Sequence, residues 1–173
     1  YNIRVIERLA ATGADVVILG DDYADKHSTL MSPAHFKEFI LPGLKRCVDA
    51  AHKAGAYVIK HTDGNIMGII DMIIDTGIDA LNPLEPQAGM DIALVKQRYG
   101  DRVALVGNID CGYLLSQAPV EEVRRVTRWT LDVASRGGGY MLSSSNSIHS
   151  SVRPENYMAM IETLREWNHQ TAR

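Results

Sequence analysis

Cysteine is scarce in this chain, whose 173 residues include only Cys47 and Cys111. Two thiols so far apart exclude a disulfide framework and a thiol-rich metal cluster. Charge of one sign is lacking too: the formal net charge is -3 and no long run of like charges occurs. That balance argues against nucleic acid or an anionic membrane as partner. No apolar run approaches the ~20 residues of a spanning helix, and no signal peptide opens the chain. The expectation is a soluble, cytoplasmic protein. No Gly-x-Gly-x-x-Gly follows the first expected strand and no P-loop occurs, which argues against a dinucleotide-binding Rossmann unit and a nucleotide-phosphate cradle. There is no linker or low-complexity segment, so residues 1–173 read as one domain. With 46% apolar residues it can bury a sizeable core. The chain opens on Tyr1, already in a helical pattern, so a piece of something longer is expected.

What is present is alternation. Residues 2 to about 12 carry helical apolar spacing that stops at Gly13. Val16-Val17-Ile18-Leu19 reads as a buried parallel strand. Ser32-Pro33 opens a long helix to about Ala54, which Pro42 must kink or split. A strand Ala56 to Ile59, a helix from about Ile66 to Asp75 and a short strand Ala80-Leu81 follow. A helix near Met90 to Tyr99, a strand Val103 to Val106, a helix from Pro119 to about Ser135, a strand Tyr140 to Leu142 and a last helix from Pro154 complete the chain. Its polar tail, Asn168 to Arg173, is expected to fray. The class is α/β, with parallel strands and helices packed outside. Two architectures fit the residues: an open doubly wound sheet, or part of a (β/α)8 barrel, whose full length is about 250 residues.

In both architectures the chemistry sits at the carboxyl ends of the strands. Those ends read Gly20-Asp21-Asp22-Tyr23, His61-Thr62-Asp63-Gly64-Asn65, Asn82-Pro83-Leu84-Glu85-Pro86, Gly107-Asn108-Ile109-Asp110-Cys111 and Ser143-Ser144-Ser145-Asn146-Ser147-Ile148-His149. Asp, Asn and Ser also cap helices, so Asp63 or Asp110 can be read as a cap. Imidazole is a poor cap, and the adjacent acids Asp21 and Asp22 repel if both are buried. A polar site at one mouth of the sheet explains the set better. His61 and Asp63, two residues apart on an extended segment, share a face. They can serve as metal ligands, with Asp21, Glu85 and Asp110 nearby, or as a proton-transfer pair. His149 is a candidate ligand contact by location. His27, His35, His52 and His169 read as surface residues, Cys111 as a small buried one, and Met67, Met72, Met158 and Met160 as core.

The ordered set of Gly20-Asp21-Asp22-Tyr23, Met31-Ser32-Pro33 with Phe36, and His61-Thr62-Asp63-Gly64-Asn65 resembles the uroporphyrinogen decarboxylase superfamily. So do Gly77-Ile78-Asp79-Ala80-Leu81-Asn82-Pro83, Gly107-Asn108-Ile109-Asp110, and the span from Gly138-Gly139-Tyr140 to Pro154-Glu155-Asn156. The resemblance implies a (β/α)8 TIM-type barrel of roughly twice this length, of which the chain would be the C-terminal portion. If the chain exists alone, an unclosed barrel exposes strand edges, and homo-oligomerisation or aggregation is then expected.

The superfamily holds the decarboxylase of haem synthesis and the cobalamin-dependent methyltransferases. In the methyltransferase branch a zinc site uses a His-x-Cys turn and a later Cys. His61 matches the first ligand, while Asp63 and Asn146 stand where the two thiols would be. In the decarboxylase branch an Asp-Ser-Trp-Ala turn matches Asp21-Asp22-Tyr23-Ala24, and a Gly-His-Gly turn falls on Ser145-Asn146-Ser147 without its imidazole. That branch's arginine-rich segment would lie before Tyr1.

The leading implication is methyl transfer between a small methylated compound and a corrinoid on a carrier protein, with zinc or another divalent metal. His61, Asp63 and Asp21 would be catalytic, with His61 and Asp63 also holding the metal. Asp22, Tyr23, Glu85, Asn108, Asp110, Asn146 and His149 would bind substrate. The alternative is cofactor-free decarboxylation of a uroporphyrinogen-type tetrapyrrole, with Asp21 stabilising a protonated pyrrole. A third reading is a non-catalytic corrinoid-binding relative.

Overall fold

Each apolar run becomes a strand because β-rich segments with no polar alternation must be buried from both sides or lie under helices. In the computed structural model, which describes residues 1–171, the order is α1 Asn2–Ala11, β1 Val16–Gly20, α2 Pro33–His35, a π turn Phe36–Ile40, and α3 Leu41–Lys53. Then come β2 Tyr57–His61, α4 Ile70–Ile74, β3 Ala80–Asn82, a 3-10 turn Pro86–Ala88, and α5 Ile92–Tyr99. The chain ends with β4 Ala104–Ile109, α6 Val120–Ala134, β5 Tyr140–Ser144 and α7 Pro154–Thr171. Among the described residues, no helix is long and apolar enough to cross a membrane.

The strand order decides between the two architectures. All five strands are parallel and lie in sequence order, β1-β2-β3-β4-β5, with no reversal. A doubly wound sheet must reverse its order at a switch point. Successive right-handed crossovers without reversal put every helix on one face. This is the winding of a (β/α)8-type barrel, with β1 and β5 at the two ends of the sheet among the described residues. Register places Val16, Ile18, Tyr57 and Met141 on the face away from the helices, and all four are exposed. The helix-facing side carries the core, from Val17, Val58, Leu81 and Leu105 to Phe36, Val48, Ile70, Ile73 and Val95. A second cluster around Ile109, Leu115, Val123 and Met160 packs α6 and α7 against the last strands.

One expected break is present, at Pro42, and several other boundaries differ from the periodicity reading, each for a local reason. The long helix is split where Pro42, lacking an N–H, cannot bond four residues back. The turn widens there, and the Leu41 N–H reaches the Phe36 carbonyl five residues away. The helix expected from Ile66 shortens to Ile70–Ile74, although Ile66 and Ile69 are buried beside it. α5 starts at Ile92 because the Asp91 carboxylate caps Ala93 N and Leu94 N. The polar tail stays helical to Thr171, and the expectation for Ala172 and Arg173 lies outside the described residues. β2 runs two residues further than its apolar core, so Lys60 and His61 are strand residues.

The mouth of the sheet is held together by close backbone packing. Gly64 has φ +85°, and a Cβ there would stand 2.5 Å from the Ala24 carbonyl carbon and the Asp25 oxygen. The Asn65 N–H donates to that same Asp25 oxygen at 2.7 Å. Gly64→Ala is therefore expected to destabilise the protein by about 1–3 kcal/mol, measured by denaturant unfolding; an unchanged midpoint would contradict this contact.

Candidate functional site

His61 is the last residue of β2, and parallel register sets it beside Asn82 of β3 and Gly20 of β1. Side chains in register on one face of a parallel sheet are neighbours. The His61 Nδ1 lies 2.6 Å from Asn82 Oδ1. Asn82 presents that oxygen because its Nδ2 donates to the Val106 carbonyl at 3.3 Å. An amide oxygen only accepts, so Nδ1 carries a hydrogen, and in the neutral ring the Nε2 lone pair points away from the sheet. Nε2 meets two carboxylates there, Asp63 Oδ1 at 3.9 Å and Asp22 Oδ1 at 4.0 Å.

Asp22 reaches the centre from the loop after β1, and its Oδ1 accepts the Asp63 N–H at 2.9 Å. Asp63 is held by the other side of the mouth, with Asn146 Nδ2 donating to its Oδ2 at 2.9 Å. Asp63 Oδ1 is shielded from solvent and has no hydrogen-bond partner. Burial pushes the Asp63 carboxyl above the usual carboxylate range. His61 pulls it down, Asp22 and Glu85 push it up, and the Asn146 amide lowers it again. Glu85 stands one step outside, its Oε2 accepting the Gly64 N–H at 3.1 Å.

Three ligand-type atoms thus converge on one point, Asp22 Oδ1 already receiving the Asp63 N–H and Asp63 Oδ1 receiving no hydrogen. Among the described residues, Asp22, His61 and Asp63 form the group of ionisable side chains close enough to hold a metal ion together. Ligands on a divalent ion with bonds of about 2.0–2.2 Å stand about 3.0–3.5 Å apart, so a modest inward movement would complete the set. The unpartnered, shielded oxygen of Asp63 and the fixed imidazole tautomer both fit a cation. Three protein ligands with the remaining positions open is the pattern of catalytic metal sites rather than structural ones. Without thiolate, imidazole plus two carboxylates favours a harder or borderline ion.

A family model described as Uroporphyrinogen decarboxylase (URO-D) matches residues 1–167. The chain belongs to the URO-D family. It is 28% identical over 159 residues to the methylcobamide:CoM methyltransferase MtaA of Methanosarcina barkeri, covering 92% of this chain and 44% of that protein. It is 29% identical over 163 residues to the uroporphyrinogen decarboxylase of Psychromonas ingrahamii, covering 90% of this chain and 42% of that enzyme. Among solved structures, a methyltransferase from Methanosarcina mazei superposes with a TM-score of 0.79 at 25% identity, over 96% of this chain and 46% of that one. The chain therefore spans less than half the length of these relatives.

Within this URO-D chain the other expected site residues divide. Asn146 joins the centre through Asp63. Asp21 stands outside the cluster and instead offers its backbone carbonyl to Lys60. Tyr23 is turned into the core, its ring edge 5.0 Å from Phe36, and burial drives its phenol pKa up. Asn108 is buried with its amide donating to the Leu84 and Met90 carbonyls, which ties down the loop after β3. Asp110 accepts from Gly112 N, Tyr113 N, Leu114 N and Gln87 Nε2, the work of a cap. His149 is exposed and accepts from Ser151 N in its own turn.

Two positions outside the expected site residues acquire a role. One is Asn82, which orients His61. The other is Lys60, wholly buried, whose pKa burial pulls down to about 8 against the opposing pull of Asp21 and Asp22. Its only trace in the sequence is a lone cation beside an apolar strand. Because Asn146 donates to the ionised form of Asp63, its loss favours the protonated form. Asn146→Ala is expected to raise the Asp63 pKa further, read by side-chain carbon NMR across a pH titration of metal-free protein; an unchanged or lower value would contradict the contact.

Proposed function

We propose that this protein is a URO-D-family enzyme of the methyltransferase kind, with a divalent cation held by His61, Asp22 and Asp63. Its substrate would be a small methylated compound and its partner a corrinoid carrier protein. One observation carries the reading. His61, Asp63 and Asn146, the positions that the resemblance assigns to the zinc ligands of the methyltransferase branch, converge at one mouth although up to 85 residues separate them. The likeness to the Methanosarcina mazei methyltransferase supports the same side of the family.

A bound divalent cation supplies Lewis-acid polarisation of a substrate heteroatom. The protein's part is electrostatic and geometric. Asn82 keeps the His61 Nε2 lone pair aimed at the centre, as outer partners of metal-binding imidazoles do. Asn146 holds Asp63 by one oxygen and leaves the other free to face the centre. Glu85 and the exposed Asp22 carboxylate keep the mouth negative, so a substrate's cationic or proton-donating end is favoured there. Replacing two thiolates by Asp63 and Asn146 makes the centre harder, which favours an oxygen or nitrogen function over a thiol as the activated group.

The test combines metal analysis with turnover. The purified protein is expected to bind one equivalent of a divalent ion such as Zn2+, Co2+ or Mn2+, and to transfer methyl from a small methylated compound to a reduced corrinoid. His61→Ala and Asp63→Ala should abolish both. Asn82→Ala should weaken metal binding by about 10–100-fold while leaving the fold intact. No stoichiometric metal, or activity unaffected by chelator and by His61→Ala, would sink the reading. Release of CO2 from a tetrapyrrole acid under those conditions would move the protein to the decarboxylase side.

A further inference from the structure

Lys60 has no place in the chemistry above, yet it is the only charged side chain buried among the described residues. On β2 it alternates with His61, so its side chain leaves the opposite face of the sheet and enters the helix layer beside Val58. Burying an ammonium is expensive, and an apolar side chain would suit that layer at lower cost. What the ammonium does there is specific. Its Nζ donates to the Asp21 carbonyl at 2.8 Å, the His61 carbonyl at 2.7 Å and the Leu19 carbonyl at 3.3 Å. The Tyr23 ring covers it, with the centroid 4.1 Å from Nζ.

These three carbonyls belong to the carboxyl ends of β1 and β2. Asp21 and His61 sit immediately before Asp22 and Thr62-Asp63 in the chain. Their peptide planes set the directions in which the donor side chains leave the sheet. Two other ties join the same segments: Tyr23 N–H to Thr62 Oγ1 at 2.9 Å, and Asp63 N–H to the Asp22 carboxylate at 2.9 Å. Those ties hold the loops beyond the strands. Lys60 adds to the β1–β2 pairing at the strand ends themselves, through one charged group.

We propose that Lys60 is a positioning residue for the Asp22–His61–Asp63 centre. From the far side of the sheet its ammonium gathers the carbonyls of Leu19, Asp21 and His61 and thereby sets the separation of the three donors. The proposal rests on reading that cluster as the functional centre.

The test is Lys60→Met, close in length and without charge. The His61 ring is read by long-range proton–nitrogen correlation in metal-free protein, beside a Co2+ titration, with circular dichroism and denaturant unfolding as the check on folding. The unsubstituted protein should show a single His61 tautomer, hydrogen on Nδ1. Lys60→Met should keep its secondary structure, populate both tautomers, and lose about tenfold or more in Co2+ affinity.

Retention of the single tautomer, with affinity within about twofold, would overturn the proposal. If Lys60→Met does not fold, Lys60→Gln, whose amide still donates to one carbonyl, is read in the same way. Failure of both to fold would overturn it too, leaving Lys60 a role in stability alone. Absence of Co2+ binding to the unsubstituted protein would count against the metal reading only, since the tautomer comparison needs no metal.

Discussion

The site depends on one constraint, the in-register pairing of Gly20, His61 and Asn82 across three parallel strands. Parallel register puts their side chains on one face at one height. Asn82 can then hold the imidazole from one side, while Gly20, with no side chain, leaves the other side open. A shift of one residue in β2 would send His61 into the helix layer and bring Lys60 to the mouth. The alternating cation and imidazole on β2 therefore make sense only in this register.

From that pairing follows an electrostatic imbalance. The Asn82 amide uses the one hydrogen that a neutral imidazole carries, and Nε2 then faces two carboxylates, of which Asp22 receives the Asp63 N–H and Asp63 Oδ1 receives nothing. Burial that raises the Asp63 carboxyl is one sign of the imbalance, and its unpartnered Oδ1 is another. Proteins keep such arrangements where a cation or proton completes them, since an unpaired buried acceptor costs stability. The surroundings differ: both Asp110 carboxylate oxygens, the Asn108 Nδ2 and the Asp91 Oδ1 are engaged by backbone groups. That contrast separates the centre from the caps around it.

The same contrast explains which candidate residues were legible. Polar residues at strand ends are visible in the sequence because the strands themselves are apolar, so His61, Asp63, Asp22, Glu85 and Asn146 stand out. Caps stand out for the same reason, which is why Asp110 and Asn108 cannot be told from site residues by type alone. Tyr23 sits in the same turn as Asp22 but faces the core. Lys60 is the reverse case, a functional-looking residue type whose position gives no hint of three backbone carbonyls around it.

The sequence by itself determined the class of fold, the approximate place of each strand and helix, and the polar mouth. Those properties are local: apolar runs, glycine and proline punctuation, and side-chain alternation are written in neighbouring residues. Only the tertiary structure decided that the strands follow one another without reversal, since strand order is a matter of long-range pairing. It also decided which acids meet His61. Asp22 lies 39 residues before it and Asn146 reaches Asp63 from 83 residues away. Such distances along the chain are closed by sheet register and loop packing, which bring some of these polar groups to His61 and leave others capping backbone N–H groups.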